Sequence, residues 1–165
     1  KTQVGEIFCE VLEKNKIEVQ MPPTRWLKKN WSTPLWPKPV HWINTGVPHL
    51  VIEVDSMEEL IQYKNEAADL RSWDQLGAGG SNVTFVKIQS DQTMAAVSFE
   101  RGIEDFTLGC GTGAVAAAVY AMDKLNTNFC QVQMPGGDLE VLLRESQIIM
   151  RGRAQKIATI EMENL

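Results

Sequence analysis

The chain is poor in most of the features that would announce a function class. Its 165 residues include two histidines and three cysteines, and 16 Lys and Arg stand against 21 Asp and Glu, a net charge of −5. Without a basic field to hold a phosphate backbone, nucleic acid is not expected as a partner. No apolar run reaches the ~18 residues of a membrane span, so no membrane partner is expected either. Cys9, Cys110 and Cys130 are odd in number and far apart. That spacing argues against a disulfide framework and for free thiols in a reducing, cytoplasmic setting. Lys1 rather than Met opens the sequence, which fits a piece of a longer protein.

What is present fits one ordinary domain, with 44% apolar and 22% charged residues. A chain of this length buries about two-thirds of the surface its unfolded form exposes. Residues 4–12 and 15–21 alternate apolar and polar side chains and read as two strands, with Ile17, Val19 and Met21 inward and a polar turn at 13–16. Pro22–Pro39 is dense in proline, tryptophan and lysine. It reads as a long loop pinned to the body by buried indoles, in preference to a base-stacking surface. A short apolar strand, His49–Val54, is followed by Asp55 and Glu58 at capping-box spacing, which predicts a helix from there to about Ala68 with Met57, Leu60 and Ile61 inward.

Residues 82–88 and 93–99 read as a hairpin, and four further strands are predicted over 129–134, 138–143, 146–151 and 154–162. Gly111–Leu125 is the clearest helix and is apolar nearly all round, so it should be buried on most sides. Together these elements predict an α+β fold, with a curled mixed, largely antiparallel sheet wrapped around a central buried helix.

The sharpest local feature is Gly109-Cys110-Gly111-Thr112-Gly113-Ala114, a thiol among glycines where that helix begins. The unpaired N–H groups and dipole of a helix start stabilise a thiolate and bind a carboxylate, so this stretch offers an activated base beside an anion clamp. Three other readings compete with it. A dinucleotide fingerprint lacks its preceding strand and its downstream acid. A structural turn with an inert cysteine is the second. The third is a cysteine hydrolase with His41 or His49 as base. Glu100 could tune or protonate a thiol, and Arg101 could fork onto a carboxylate; a solvated ion pair is the plainer alternative. His49 and Asn82 read either as polar ligands of a substrate or as structural hydrogen-bonding residues. Cys9 and Cys130 read as core residues within strands.

Five motifs then occur in order: Asn44-Thr-Gly-Val-Pro-His49-Leu-Val, Gly80-Ser-Asn82-Val-Thr-Phe-Val, Phe99-Glu-Arg-Gly102, Gly109–Ala114 and Met134-Pro-Gly-Gly-Asp-Leu139. The series resembles the C-terminal half of diaminopimelate epimerases. That resemblance implies a cofactor-independent amino-acid epimerase needing no metal, built as two similar lobes facing across a cleft. One cysteine from each lobe flanks the substrate α-carbon; one removes the α-proton and the other delivers a proton to the opposite face. By the family pattern Cys110 is one of these thiols, with Glu100 and His49 as supporting acid–base residues. Asn82, Glu100, Arg101, Gly111 and Thr112 fall on substrate-contacting positions.

The implied substrates are LL- and meso-diaminopimelate, precursors of lysine and cell wall. The implied partner is an N-terminal lobe, and the pattern leaves room for a homodimer. Val47 stands where the family usually has Asn, which keeps a racemase of another amino acid as an alternative; a non-catalytic binding module on the same scaffold is a second. The family's other cysteine lies in a C-G-N-G-x-R motif that residues 1–165 do not contain. The whole chain is therefore expected to be one lobe, inactive alone.

Overall fold

The computed structural model describes residues 5–161 other than 14 and 59. In chain order it comprises β1 (Cys9–Glu13), β2 (Lys16–Gln20), β3 (Arg25–Thr33), β4 (Trp36–Asn44) and β5 (Pro48–Glu53). A 3-10 turn and α1 (Lys64–Arg71) follow, then β6 (Asn82–Ser90), β7 (Thr93–Glu100) and β8 (Asp105–Thr107). α2 (Gly111–Leu125), β9 (Phe129–Met134), β10 (Gly137–Arg144) and β11 (Gln147–Arg153) complete it. The strands form one mixed sheet in the order β1-β2-β11-β10-β9-β7-β6-β5-β4-β3, with β8 added beside β7. Only β5/β6 and β7/β9 pair in parallel; every other pairing is antiparallel. The α+β class holds.

Strand periodicity sorts the interior into two faces. Leu50 and Ile52 of β5, Val83 and Phe85 of β6, and Val97 and Phe99 of β7 point to the face covered by Ala67 and Leu70 of α1. The alternate residues Val51, Val86, Met94 and Ala96 point to the other face, where Ala114–Ala118, Ala121 and Met122 of α2 cover them. Cys130, Val132, Val141 and Ile148 from β9–β11 join this second core. A helix flanked by strands from both halves of a sheet must be apolar nearly all round, as α2 is. It ends at Asn126, a left-handed residue, with Lys124 in its last turn.

Several expectations need correcting. The tryptophan- and proline-rich stretch is a hairpin, β3–β4, not a loop. Its prolines are tolerated because Pro37 and Pro39 lie in the half of β4 that has no β5 partner, and because the β3 register is broken by bulges. Trp36 is buried against Tyr63 and Phe85, and Trp31 stacks 4.4 Å from Trp73. Lys28 and Lys29 lie over the rings of Trp31 and Trp26, so the hairpin's own indoles engage these charges.

Asp55 caps no helix. It is exposed and paired with Lys38, and α1 starts only at Lys64. The side chain of Ile61 lies outside the described residues. Residues 154–161 carry no strand: Ile157 and Ile160 are 93% and 83% exposed. Cys9 is exposed, because β1 is an edge strand whose residues are all exposed, whereas Cys130 is buried as expected. On β2 it is Glu18 that is buried, while Ile17 and Val19 are only partly so. Two arginines make this possible: Arg144 and Arg151 both donate to the Glu18 carboxylate, at 2.8–3.1 Å.

Among the described residues, no helix is long and apolar enough to cross a membrane. No group of three potential metal ligands is found there either.

Candidate functional site

The predicted site residues arrive at one place through strand parity. His49 is the second residue of β5, Asn82 opens β6 directly opposite it in parallel register, and Thr84 follows two residues on, on the same face. Ser98 of β7 faces Thr84, and Glu100 is two residues beyond. All share the face covered by α2. The sheet changes partners here: β9 holds the first residues of β7, and β8 holds the last. The chain leaves β8 at Thr107 and reaches Cys110 within three residues, so α2 starts over this group.

Two glycines of the motifs are close-approach positions. A side chain at Gly113 would collide with Ser98 Oγ, and one at Gly136 would sit 2.7 Å from the carbonyl oxygen of Leu108. The Gly136 N–H instead donates to that carbonyl at 2.5 Å, which pins the segment entering Cys110.

Cys110 is the N-cap residue of α2, in extended conformation and buried. Its Sγ lies 3.5 Å from Thr112 Oγ1, and the Gly113 N–H points to it. The thiol's surroundings pull against the helix dipole. Burial pushes its pKa up, and although Thr112 and the Gly113 amide oppose this, the neighbouring Glu100 carboxylate adds to it. Glu100 itself accepts a hydrogen bond from Thr107 Oγ1 at 2.5 Å.

His49 is fully buried. Its Nδ1 is 2.9 Å from Thr84 Oγ1 and its Nε2 is 3.0 Å from Thr112 Oγ1. Burial lowers its pKa to about 3, so it stays neutral across the physiological range. Both ring nitrogens serve as hydrogen-bonding anchors in this arrangement. Asn82 Nδ2 is 3.4 Å from His49 Nε2, while Asn82 Oδ1 accepts from the backbone N–H of Arg101 at 2.9 Å. The Arg101 guanidinium donates to the carbonyl of Gly79 at 2.7 Å. Gly111 and Thr112 form the first turn of α2, whose amides have no intrahelical acceptor. Thr45 Oγ1 donates to the Thr112 carbonyl at 3.0 Å and ties that turn to the segment before β5.

The structure thus gathers Cys110, Glu100, His49, Asn82, Gly111 and Thr112, and brings the Arg101 backbone in through Asn82. It leaves His41 out. That ring packs 4.7 Å from Tyr120, about 15 Å along α2 from Cys110. With His41 remote and His49 bonded to threonines, no Cys–His dyad forms here and the hydrolase reading loses its base. Thr84, Ser98 and Thr107 belong to the site and were not anticipated. Their signal was polar residues at inward positions of apolar strands.

A family model described as diaminopimelate epimerase matches residues 41–157. A diaminopimelate epimerase of Flavobacterium psychrophilum is 38% identical over 121 residues, covering 69% of this chain and 47% of that protein. One from Hydrogenobaculum is 28% identical, covering 95% and 59% respectively. The chain thus spans about half the length of the curated relatives it matches. Among solved structures, a probable proline racemase of Agrobacterium radiobacter superimposes with a TM-score of 0.74 at 12% identity, over 97% of this chain and 58% of that one. A putative phenazine biosynthesis protein of Clostridium difficile gives 0.62 at 15% identity, over 91% and 60%. At such identities the likeness establishes the fold.

Proposed function

Since the chain belongs to the diaminopimelate epimerase family, we propose that it is one lobe of a two-thiol, cofactor-independent epimerase that interconverts LL- and meso-diaminopimelate. In this reading the sheet curls around α2, and a second, similar lobe faces it across the substrate. The observation that carries the reading is Cys110 on the N-cap of α2, with glycines on either side, Thr112 on its sulfur and Glu100 beside it.

An α-proton is weakly acidic, so its removal needs a base close by and stabilisation of the charge that develops. The amides of Gly111 and Thr112 would hold the α-carboxylate at the positive end of α2. Cys110 enters the cycle as a thiol and delivers its proton to the α-carbon, while a thiolate from the facing lobe takes the original proton from the other side. Cys110 is then the thiolate, and the roles reverse for the reverse reaction. Asn82, Glu100 and the Arg101 segment line the approach. Leu108 and Ile103, next to the site, are 72% and 62% exposed, and a facing lobe would cover such apolar groups.

A direct test incubates the chain with diaminopimelate in D2O and follows the α-proton by NMR, alone and then mixed with a lobe bearing the C-G-N-G-x-R motif of a relative. Exchange is expected only in the mixture. Sustained exchange by the chain alone would refute the half-site, and a silent mixture of folded lobes would refute the activity. Val47, in the turn before β5, favours testing other amino acids in the same assay.

A further inference from the structure

One donor in the site has a fixed direction, and it sets the polarity of the rest. The backbone N–H of Arg101 can only donate, so the atom of Asn82 that faces it, at 2.9 Å, is the carbonyl oxygen. The other end of that amide, the NH2, then faces His49 Nε2 at 3.4 Å, and a nitrogen that receives an N–H is unprotonated. In a neutral imidazole the proton consequently resides on Nδ1, which donates to Thr84 Oγ1 at 2.9 Å. The Thr84 hydroxyl, having accepted, donates to Ser98 Oγ at 3.0 Å. On the other side, the Thr112 hydroxyl donates to Nε2 at 3.0 Å. Its single proton is thereby used, and at 3.5 Å it can only accept from Cys110 Sγ.

We propose that Thr84 and Ser98 are positioning residues for Cys110: they lock His49 as the Nδ1–H tautomer, and the locked ring turns the Thr112 hydroxyl so that it accepts a hydrogen bond from the thiol. Neither touches the sulfur. Thr84 and Ser98 are both fully buried, so the ring nitrogen has no water to turn to if they are lost. Glu100 of β7 is the charged group that bears on the sulfur beside it. The lock rests on the proposed epimerase for its use, but not for its existence.

In the opposite tautomer Nε2–H would donate to Thr112 Oγ1, and the threonine proton would be free to stabilise a thiolate. Thr84→Val removes the Nδ1 acceptor at nearly constant volume and favours that switch. The test reads the His49 ring nitrogens by 15N NMR on the full chain, with His41 assigned by a His41→Phe variant. It is paired with the pH dependence of Cys110 alkylation by iodoacetamide.

The wild type should show a protonated Nδ1 and a bare Nε2. In Thr84→Val the bare nitrogen should become Nδ1, and the alkylation midpoint should fall by about one pH unit, a rate about tenfold higher below the midpoint. Thr84→Ser should restore both. A protonated Nε2 in the wild type overturns the proposal without any variant having to fold. So does a folded Thr84→Val that leaves tautomer and midpoint unchanged. Should Thr84→Val not fold, Ser98→Ala is read in its place and must loosen the Nδ1–H preference. A silent exchange assay of the mixed, folded lobes with the expected tautomer would sink the enzyme reading alone, and active exchange in that mixture with the other tautomer would sink the lock alone.

Discussion

Replacing Gly113 by alanine sets two effects of opposite sign against each other. Gly113 is the third residue of α2, and alanine in a helix is favoured over glycine by about 1 kcal/mol. Helix propensity alone therefore predicts a more stable protein. The packing says otherwise. The new methyl group would overlap Ser98 Oγ and stand 3.2 Å and 3.3 Å from Cys110 Cβ and Sγ.

Ser98 can escape only by rotating its hydroxyl away from Thr84, which breaks a buried hydrogen bond and costs about 1–3 kcal/mol. Shifting the cysteine adds about another 1 kcal/mol of overpacking. The net expectation is a loss of about 1–3 kcal/mol, read as a lower urea midpoint at unchanged m-value. Adding Ser98→Ala removes the colliding oxygen, so the double variant should regain at least half of that loss beyond additivity. A Gly113→Ala protein stabilised by about 1 kcal/mol, with no coupling to Ser98→Ala, would refute the packing of α2 against β7 described above.

Two further expectations follow from charges. Glu100→Gln removes the carboxylate that helps hold the Cys110 thiol protonated, so alkylation of Cys110 should begin at lower pH. Burial is the larger cause and stays in place, so the rate at fixed pH should rise only about two- to fivefold; an unchanged profile would show that Glu100 does not act on the sulfur. Glu18 is held below its ordinary value of 4.5 by hydrogen bonds from Arg144 and then Arg151. A carboxylate depressed in the folded state contributes stability above its unfolded pKa and loses it as pH falls through the folded value. The wild type should therefore lose part of its stability below about pH 4.5, and Glu18→Gln should lose that part at neutral pH and flatten the acid limb; equal acid limbs in urea titrations would contradict this.

The parts of the fold legible in the sequence are those where local pattern and burial agree. Gly111–Leu125 was delimited to the residue because an apolar face all round has few explanations other than burial between strands. The 129–134 strand and the hairpin from Asn82 to Glu100 followed from alternation bounded by glycine and polar turns. Alternation does not say what a strand will meet. The same pattern marked β1, where Cys9 lies exposed on an edge, and residues 154–161, which form no strand. Prolines hid β3–β4, since their cost depends on whether a neighbour asks for their N–H, and that is a property of the sheet.

At the site, the motifs named the residues that the fold gathers, because spacing and glycine content survive in one dimension. The state of Cys110 was not legible. A helix N-terminus argues for a thiolate, but the burial that opposes it is a property of the assembled fold and not of the local motif.

The central claim is that Cys110 exchanges a proton with an amino-acid α-carbon opposite a second thiol. It is tested most directly by deuterium incorporation at the α-carbon of diaminopimelate, comparing the assembled two-lobe enzyme with its Cys110→Ala variant. A loss of at least about a thousandfold with the fold intact is the predicted result. Deuterium entering at the wild-type rate would contradict it.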